Sequence, residues 1–120
     1  MIDIDTDSPV PPYEQVRLGI AARARSGSLP AGTRLPAVRQ LAADLGLAAN
    51  TVARAYRELE QAGLVETRGR HGTVITAQAS GVPPEAQRLA TAYAEQTRRL
   101  GVQPEQALSL VRAALGLPPG

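Results

Sequence analysis

The sequence is notable first for the residues that it lacks. It contains no cysteine, lysine, tryptophan or phenylalanine, and its one histidine is His71. Without cysteine the chain can form no disulfide, thiolate metal site or cysteine nucleophile. His71 alone cannot build a histidine-based metal site, and no acid or nucleophile accompanies it in a catalytic pattern. We therefore expect no enzymatic activity, no metal and no cofactor.

Long apolar runs are also missing. No segment approaches the roughly 20 apolar residues that cross a bilayer, and the first residues, "MIDIDTDS", lack the basic and apolar regions of a secretory signal. We expect a cytoplasmic protein with no membrane partner. Three tyrosines are the only aromatic residues, so the core must be aliphatic. A small aliphatic core stabilises 120 residues only modestly, and oligomerisation would help.

The charge is distributed unevenly along the chain. Residues 1–16 carry four acidic and no basic side chains, whereas residues 17–70 carry nine arginines against four acidic residues. The net charge of +2 hides this basic middle segment. We expect the acidic residues to lie in a frayed tail or a short edge strand, and the basic segment to meet a partner.

The periodicity of the basic segment predicts three helices and a hairpin. A helix over residues 12–26 ends at Gly27, and "AVRQLAADLG" predicts a short second helix. "AANTVARAYRELEQAG" predicts a third helix after a tight turn, with Val52, Ala55, Tyr56, Leu59 and Ala62 in its buried stripe. "LVETRGRHGTVIT" predicts a β-hairpin with Arg70 and His71 near its tip. This order is the winged helix-turn-helix plan.

In that plan the second helix of the pair enters the DNA major groove, which would direct Asn50, Thr51, Arg54 and Arg57 toward DNA. Asparagine can pair with adenine and arginine with guanine, and either can instead bind a phosphate. The alternative is an ordinary solvated face, with Asn50 acting as an N-cap. Arg34 and Arg39 are candidate phosphate contacts or simply solvated. Gly69 and Gly72 either shape a DNA-contacting tip or only a tight turn.

The last part of the chain predicts a linker over residues 77–84 and two amphipathic helices within 85–117. Two short amphipathic helices must pack on the rest of the protomer or on a second chain. If the partner is a second chain, this segment joins the two protomers. The predicted dimerisation residues are Leu89, Tyr93, Leu100, Leu108, Val111 and Leu115.

The run "PAGTRLPAVRQLAADLGLAANTVARAYRELEQAGLVETRGRHGTVI" closely resembles the DNA-binding domain of the GntR family of bacterial transcription regulators. Its markers include Leu35-Pro36 with Arg39 three residues on, and Gly63-Leu64. "NTVARAY" and the two short C-terminal helices look like the YtrA subfamily, whose truncated C-terminal part serves dimerisation. The resemblance implies operator contacts by Arg39, by the start of the third helix, and by the wing from Arg70 to Thr73.

Three alanines depart from the family pattern. Members often have a hydroxyl residue at the positions of Ala37 and Ala48 and an arginine at that of Ala49, so base readout here would depend on Asn50, Thr51 and Arg54. The full set of expected DNA-binding residues is Arg34, Pro36, Arg39, Ala49, Asn50, Thr51, Arg54, Arg57, Arg70, His71, Gly72 and Thr73.

The prediction is thus a mainly α fold with a small β-hairpin. Residues 1–76 form the winged helix-turn-helix domain, 77–84 the linker and 85–117 a two-helix dimerisation segment. The expected function is a homodimeric repressor that binds an inverted repeat in double-stranded DNA near its own or a neighbouring transporter operon. The sequence leaves open whether the protein also binds an unknown small-molecule effector. The alternative is a protein-interaction module without operator binding.

Overall fold

The computed structural model describes residues 2–120, which form two compact units. The N-terminal unit ends at Pro84, and the C-terminal unit comprises Glu85–Gly120. No helix in this part of the chain is long and apolar enough to cross a membrane. The helices are α1 Pro12–Ser26, α2 Val38–Leu45, α3 Ala49–Gln61, α4 Ala77–Ser80, α5 Pro84–Arg99 and α6 Pro104–Ala114. The strands are β1 Val65–Thr67 and β2 Thr73–Ile75.

Helix α1 has the bounds that its sequence predicted. Pro12 occupies the first helical position, where a missing backbone N–H removes no helical hydrogen bond. Gly27 ends the helix with φ of +87°, a conformation that favours glycine. Val16, Ile20 and Ala24 are buried at helical spacing. The aliphatic stripe of α1 therefore forms one wall of the core.

Helices α2 and α3 form the helix-turn-helix pair. Gly46 ends α2 in the left-handed conformation, and α3 then buries its stripe of Val52, Ala55, Tyr56 and Leu59. Ala62 was predicted in the same stripe but is exposed, because α3 ends one residue before it.

One hydrogen bond fixes the two helices together. The Tyr56 hydroxyl donates to the carbonyl of Pro36 at 2.7 Å, just before α2 begins. Burial raises the pKa of Tyr56 to about 12, so its hydroxyl stays a donor even near pH 10, where an exposed tyrosine loses its proton.

The hairpin after α3 is antiparallel, with Val65 opposite Ile75 and Thr67 opposite Thr73. The chain that precedes α2 pairs with the other side of β2. Leu35 N–H donates to the carbonyl of Thr73 at 2.8 Å, and Ile75 N–H donates to that of Thr33 at 2.9 Å. The start of α2 and the hairpin are therefore joined by backbone hydrogen bonds. The winged helix-turn-helix prediction is confirmed.

Two expectations about the ends of the N-terminal unit need correction. Residues 77–84 were expected to be a linker, but residues 77–80 form α4, and Ala79 is buried in the core. The acidic N-terminal segment is neither a frayed tail nor a strand. Ile2 is buried, and the Gln15 amide exchanges two hydrogen bonds with the backbone of Asp5, at 2.8 and 2.9 Å. Met1 of the predicted 1–76 domain lies outside the described residues.

The C-terminal unit is a pair of helices. Among its described residues only Thr97 and Ala107 are buried. The Tyr93 hydroxyl of α5 donates to the Ala107 carbonyl of α6 at 2.8 Å, and the Thr97 hydroxyl donates back to the Tyr93 carbonyl at 2.9 Å. The leucines of this unit are largely exposed, as Leu89 is at 72%.

Candidate nucleic-acid interface

The first turn of α2 presents Arg39. The residue follows Val38, whose partly buried side chain packs against the core, and Arg39 itself is exposed. Within residues 2–120 its guanidinium has no carboxylate partner within ion-pair distance. Pro36 lies just ahead and accepts the hydrogen bond from Tyr56, so the entry to α2 is fixed in position. The Arg39 guanidinium is therefore free to bind an anion, and it lies on a helix whose start is fixed in position.

The N-terminus of α3 follows α2 after a short turn. Asn50 is exposed and lies inside the helix, so the alternative that it is the N-cap is wrong: Ala48 occupies the cap, with no side-chain hydrogen bond. Ala49 is exposed, and Thr51 is half-buried. The uncapped N–H groups of this first turn are left to water or to an anionic ligand. Ala48, one of the alanines that depart from the family pattern, thus leaves the start of α3 without a side-chain cap.

The two arginines of α3 turn to different neighbours. The guanidinium carbon of Arg54 lies 3.6 Å from the ring centre of Tyr13, and its Nε donates to Glu58 at 3.1 Å. Arg57 instead lines a cleft with Val38 of α2 and Thr73 of β2. Both residues were expected to face DNA, and they occupy separate environments.

The cleft beside Arg57 has a volume of about 230 Å³ and separates α3 from the start of α2 and from the hairpin. Its walls include the half-buried Ala53 and the hydroxyl residues Thr67 and Thr73. The Thr67 hydroxyl donates to the Glu60 carboxylate at 2.9 Å, which joins the hairpin to α3. The cleft thus offers an anion the Arg57 guanidinium, but the Glu60 carboxylate also lines it and already accepts the hydrogen bond of the Thr67 hydroxyl.

The wing tip is a short 3₁₀ turn of Gly69–His71 between the two strands. Gly72 follows it with φ of +69° and ψ of −150°, a conformation that glycine alone adopts readily. A Cβ at this position would lie 3.2 Å from Nε of Arg34, so the Arg34 guanidinium rests directly against the turn. The exposed Arg34, Arg70 and His71 are therefore grouped at the wing.

The arginines of the basic segment fall into two groups, those with an ion-pair partner and those without one. Arg17 pairs with Glu14, Arg54 with Glu58 and Arg68 with Glu66. The hydrogen bond to Glu14 raises the pKa of Arg17, and the same bond lowers the pKa of Glu14. Of the six others, which have no ion-pair partner in residues 2–120, Arg23 and Arg25 lie at the end of α1. The remaining four lie on α2, on α3 and at the wing: Arg34, Arg39, Arg57 and Arg70.

Sequence reasoning missed several residues of this region. Ala53 shares the cleft with Arg57, and Tyr13 holds Arg54. The place of Ala53 beside Arg57 could have been predicted, because the two residues lie one helical turn apart. The partner of Arg54 lies 41 positions earlier on another helix, and no local pattern indicates that contact.

The predicted dimerisation residues divide into two groups. Tyr93, Leu108 and Val111 line a cavity of about 310 Å³ between α5 and α6. Leu89, Leu100 and Leu115 are exposed outside it, and Leu100 lies in the turn just after α5. An apolar groove flanked by exposed leucines is a surface that water solvates poorly.

Comparisons with known proteins agree with this architecture. Residues 12–75 match the model of the family described as bacterial regulatory proteins, gntR family. A 73-residue segment is 58% identical to the HTH-type transcriptional regulator Rv1152 of Mycobacterium tuberculosis, covering 61% of this chain and 60% of that protein. A 76-residue segment is 41% identical to the HTH-type transcriptional repressor YtrA of Bacillus subtilis, covering 63% of this chain and 58% of that protein. The matches thus span less than two thirds of either relative.

Among solved structures, the chain is similar to YtrA from Sulfolobus acidocaldarius, a GntR-family transcription factor. The TM-score is 0.60 and the identity 30%, and the alignment covers 79% of this chain and 97% of that one. The similarity to that structure therefore extends beyond the segment that matches the family model.

Proposed function

Because the chain belongs to the GntR family of bacterial regulatory proteins, and to its YtrA-like subfamily, we propose that it is a DNA-binding transcriptional repressor that acts as a homodimer. The observation that carries the proposal is that Arg34 beside the wing, Arg39 on α2 and Arg57 on α3 have no ion-pair partner in residues 2–120, in the same unit whose helix α3 begins without a side-chain cap. Unpaired arginines and an open helix N-terminus suit the phosphates of a duplex.

In this proposal α3 enters the major groove by its N-terminal turn. Asn50 and Thr51 approach base edges, where the Asn50 amide suits adenine. The small side chains of Ala49 and Ala53 permit close approach of the helix. Arg34, Arg39 and Arg57 bind phosphates and set the register, while Arg70, His71, Gly72 and Thr73 form the wing contact.

The homodimer is proposed from the C-terminal unit. The leucines of this unit are largely exposed, Leu108 to 58% and Leu115 to 68%. Only two of its described residues are buried, so the unit has almost no core of its own. A second copy of the same apolar surface would bury these leucines. Two-fold symmetry then presents two recognition helices, so the operator would be an inverted repeat. We place that operator near the protein's own gene or a neighbouring transporter operon.

The cavity between α5 and α6 is the candidate site for a small-molecule effector. Its volume of about 310 Å³ lies at the lower end of the range for small-molecule sites. We propose that side chains of the partner occupy it in the dimer. Any apolar ligand bound there would compete with the partner and weaken operator binding.

A protein-interaction module that keeps the fold without operator binding is the competing proposal. Ala37, Ala48 and Ala49 favour it, since they remove hydroxyl and guanidinium groups that family members often have. An enzyme is not proposed, because the two relatives compared above are both named as transcriptional regulators.

The deciding experiment selects an operator from a random-sequence duplex library with the full-length chain and then tests Arg39→Ala. We expect loss of about 10- to 100-fold in affinity at fixed salt, with unchanged circular dichroism and dimerisation. Arg25→Ala is the matched control, since Arg25 is an exposed arginine at the far end of α1. Failure to select any sequence, or equal effects of the two variants, would favour the interaction module.

A further inference from the structure

A cluster of side chains joins the start of α1 to the middle of α3, and only one of its members, Arg54, was among the DNA contacts expected from the sequence. The Arg54 guanidinium carbon lies 3.6 Å from the ring centre of Tyr13, which is cation–π geometry. Arg54 Nε also donates to Oε2 of Glu58 at 3.1 Å. Arg54 is therefore held by an aromatic ring of α1 and by a carboxylate of its own helix.

Glu58 extends the cluster back to α1. Its Oε1 lies 3.8 Å from Nε of Arg17, which is hydrogen-bonded in turn to Glu14. The hydrogen bond from Arg17 lowers the pKa of Glu14, and the charges of Arg17 and Arg54 act in the same direction. The cluster thus contains two arginines and two glutamates. Since these charges cancel, it attracts a polyanion far less than the unpaired arginines do.

The cluster lies at the edge of the α1 and α3 packing. Inside that packing the contacts are aliphatic, from residues such as Val16, Ile20 and Leu59. Aliphatic contacts hold helices together but are not directional. Directional contacts at the edge, by contrast, restrict how one helix can rotate against another. Recognition needs such restriction, because a site functions only when its supporting contacts hold it near the productive geometry.

We propose that Arg54 is a positioning residue: stacked on Tyr13 and paired with Glu58, it fixes the rotation of α3 against α1 so that Asn50 meets the bases, and it does not itself bind DNA. This inference rests on the proposed function and replaces the base contact that the sequence suggested for Arg54. It also assigns a role to Tyr13, which no local sequence pattern indicated.

The test compares full-length variants on two duplexes, the selected operator and a scrambled duplex of equal length, over a series of KCl concentrations. Arg54→Met keeps the side-chain length without the charge, and Tyr13→Leu removes the ring. Arg57→Met is the matched control for a phosphate contact. Tyr13→Phe, which keeps the aromatic face, is the conservative variant and should behave as the wild type.

For Arg54→Met and Tyr13→Leu we expect the preference for operator over scrambled duplex to fall about three- to tenfold with an unchanged salt slope. The double variant should lose no more than Arg54→Met alone, because Arg54→Met already removes the contact that Tyr13→Leu breaks. Arg57→Met should instead weaken binding to both duplexes and reduce the slope by about one. A variant that is merely destabilised but still folded would keep the wild-type preference.

Two results would overturn the inference. A slope reduced by about one in Arg54→Met would make Arg54 a phosphate contact, and an unchanged operator preference would remove its positioning role. If Arg54→Met does not fold, Glu58→Gln tests the same contact and should show the same loss of preference. A wild-type chain that prefers no sequence would overturn the proposed function itself, whereas a failure confined to the Arg54 and Tyr13 variants would overturn this inference alone.

Discussion

The two units of this chain use similar helices in different ways. In the N-terminal unit the apolar stripes of α1, α2 and α3 meet one another, and residues such as Leu59 and Ile20 have 0% and 1% of their surface exposed. In the C-terminal unit α5 and α6 also carry apolar stripes, but Leu89 and Leu108 remain 72% and 58% exposed. A stripe that finds no partner within its own unit is the surface that the proposed dimer would cover.

The largest effect is expected from separating the units. A chain that ends at Pro84 keeps α4 and the whole buried core of the N-terminal unit, so it should fold and be monomeric. Light scattering over a range of concentrations measures this against the full-length protein. Operator affinity should fall steeply, because two linked half-site contacts become independent ones. Dimerisation of the shortened chain at the same concentrations would show that the leucines serve another purpose.

Two leucine substitutions should distinguish the stability of the buried core from the stability of the proposed dimer. Leu59→Ala opens a cavity in the core and should lower the free energy of unfolding by about 2–5 kcal/mol at every protein concentration. Leu108→Ala should weaken dimerisation by about tenfold or more, because each dimer loses two buried side chains. Thermal unfolding across a hundredfold concentration range distinguishes them. If Leu108→Ala destabilises the protein independently of concentration, the C-terminal unit has an internal core after all.

The same contrast explains what the sequence could predict. Helical periodicity gave the bounds of α1 and the stripe of α3, because those side chains pack within a continuous segment of chain. It failed at α4, where "AQASG" has the composition of a linker. There the Thr76 hydroxyl, which donates to the Gly63 carbonyl at 2.7 Å, holds the turn by a contact distant in sequence.

The candidate site divides in the same way. Arg39 and Asn50 could be assigned to an exposed helix surface from spacing alone. The pairing of Arg54 with Tyr13 could not, since it depends on how α1 packs against α3. Spacing identifies which side chains share a face, whereas tertiary packing decides which of them stay free to bind.

A smaller effect is expected from the ionisation of Tyr56. Its pKa is raised to about 12 in the folded chain and returns to near 10 on unfolding. The unfolded state therefore loses its proton first as the pH rises. Stability from this group is complete below about pH 10 and should fall by about 1–2 kcal/mol between pH 10 and 12. Urea unfolding across this range measures the loss. Tyr56→Phe is the control, and an unchanged decline in that variant would assign the decline to other groups.

The smallest effect should come from the corresponding tyrosine of the C-terminal unit. Tyr93, like Tyr56, donates its hydroxyl to a carbonyl on a neighbouring helix, at 2.8 Å against 2.7 Å. Tyr56→Phe leaves the carbonyl of the half-buried Pro36 without this bond and should cost about 1 kcal/mol. Tyr93 is only half-buried, so water can replace its bond, and Tyr93→Phe should cost less than about 0.5 kcal/mol in the monomer.

The concentration at which the Tyr93→Phe measurement is made decides its meaning. In the dimer the partner should exclude water from the groove beside Tyr93, and the cost of losing the hydroxyl should then approach that at Tyr56. Chemical unfolding of both variants below and above the dimerisation concentration gives the comparison. A Tyr93→Phe cost that is the same at both concentrations would mean that the partner leaves this groove open to water. The leucines around it would then have to be covered in some other way.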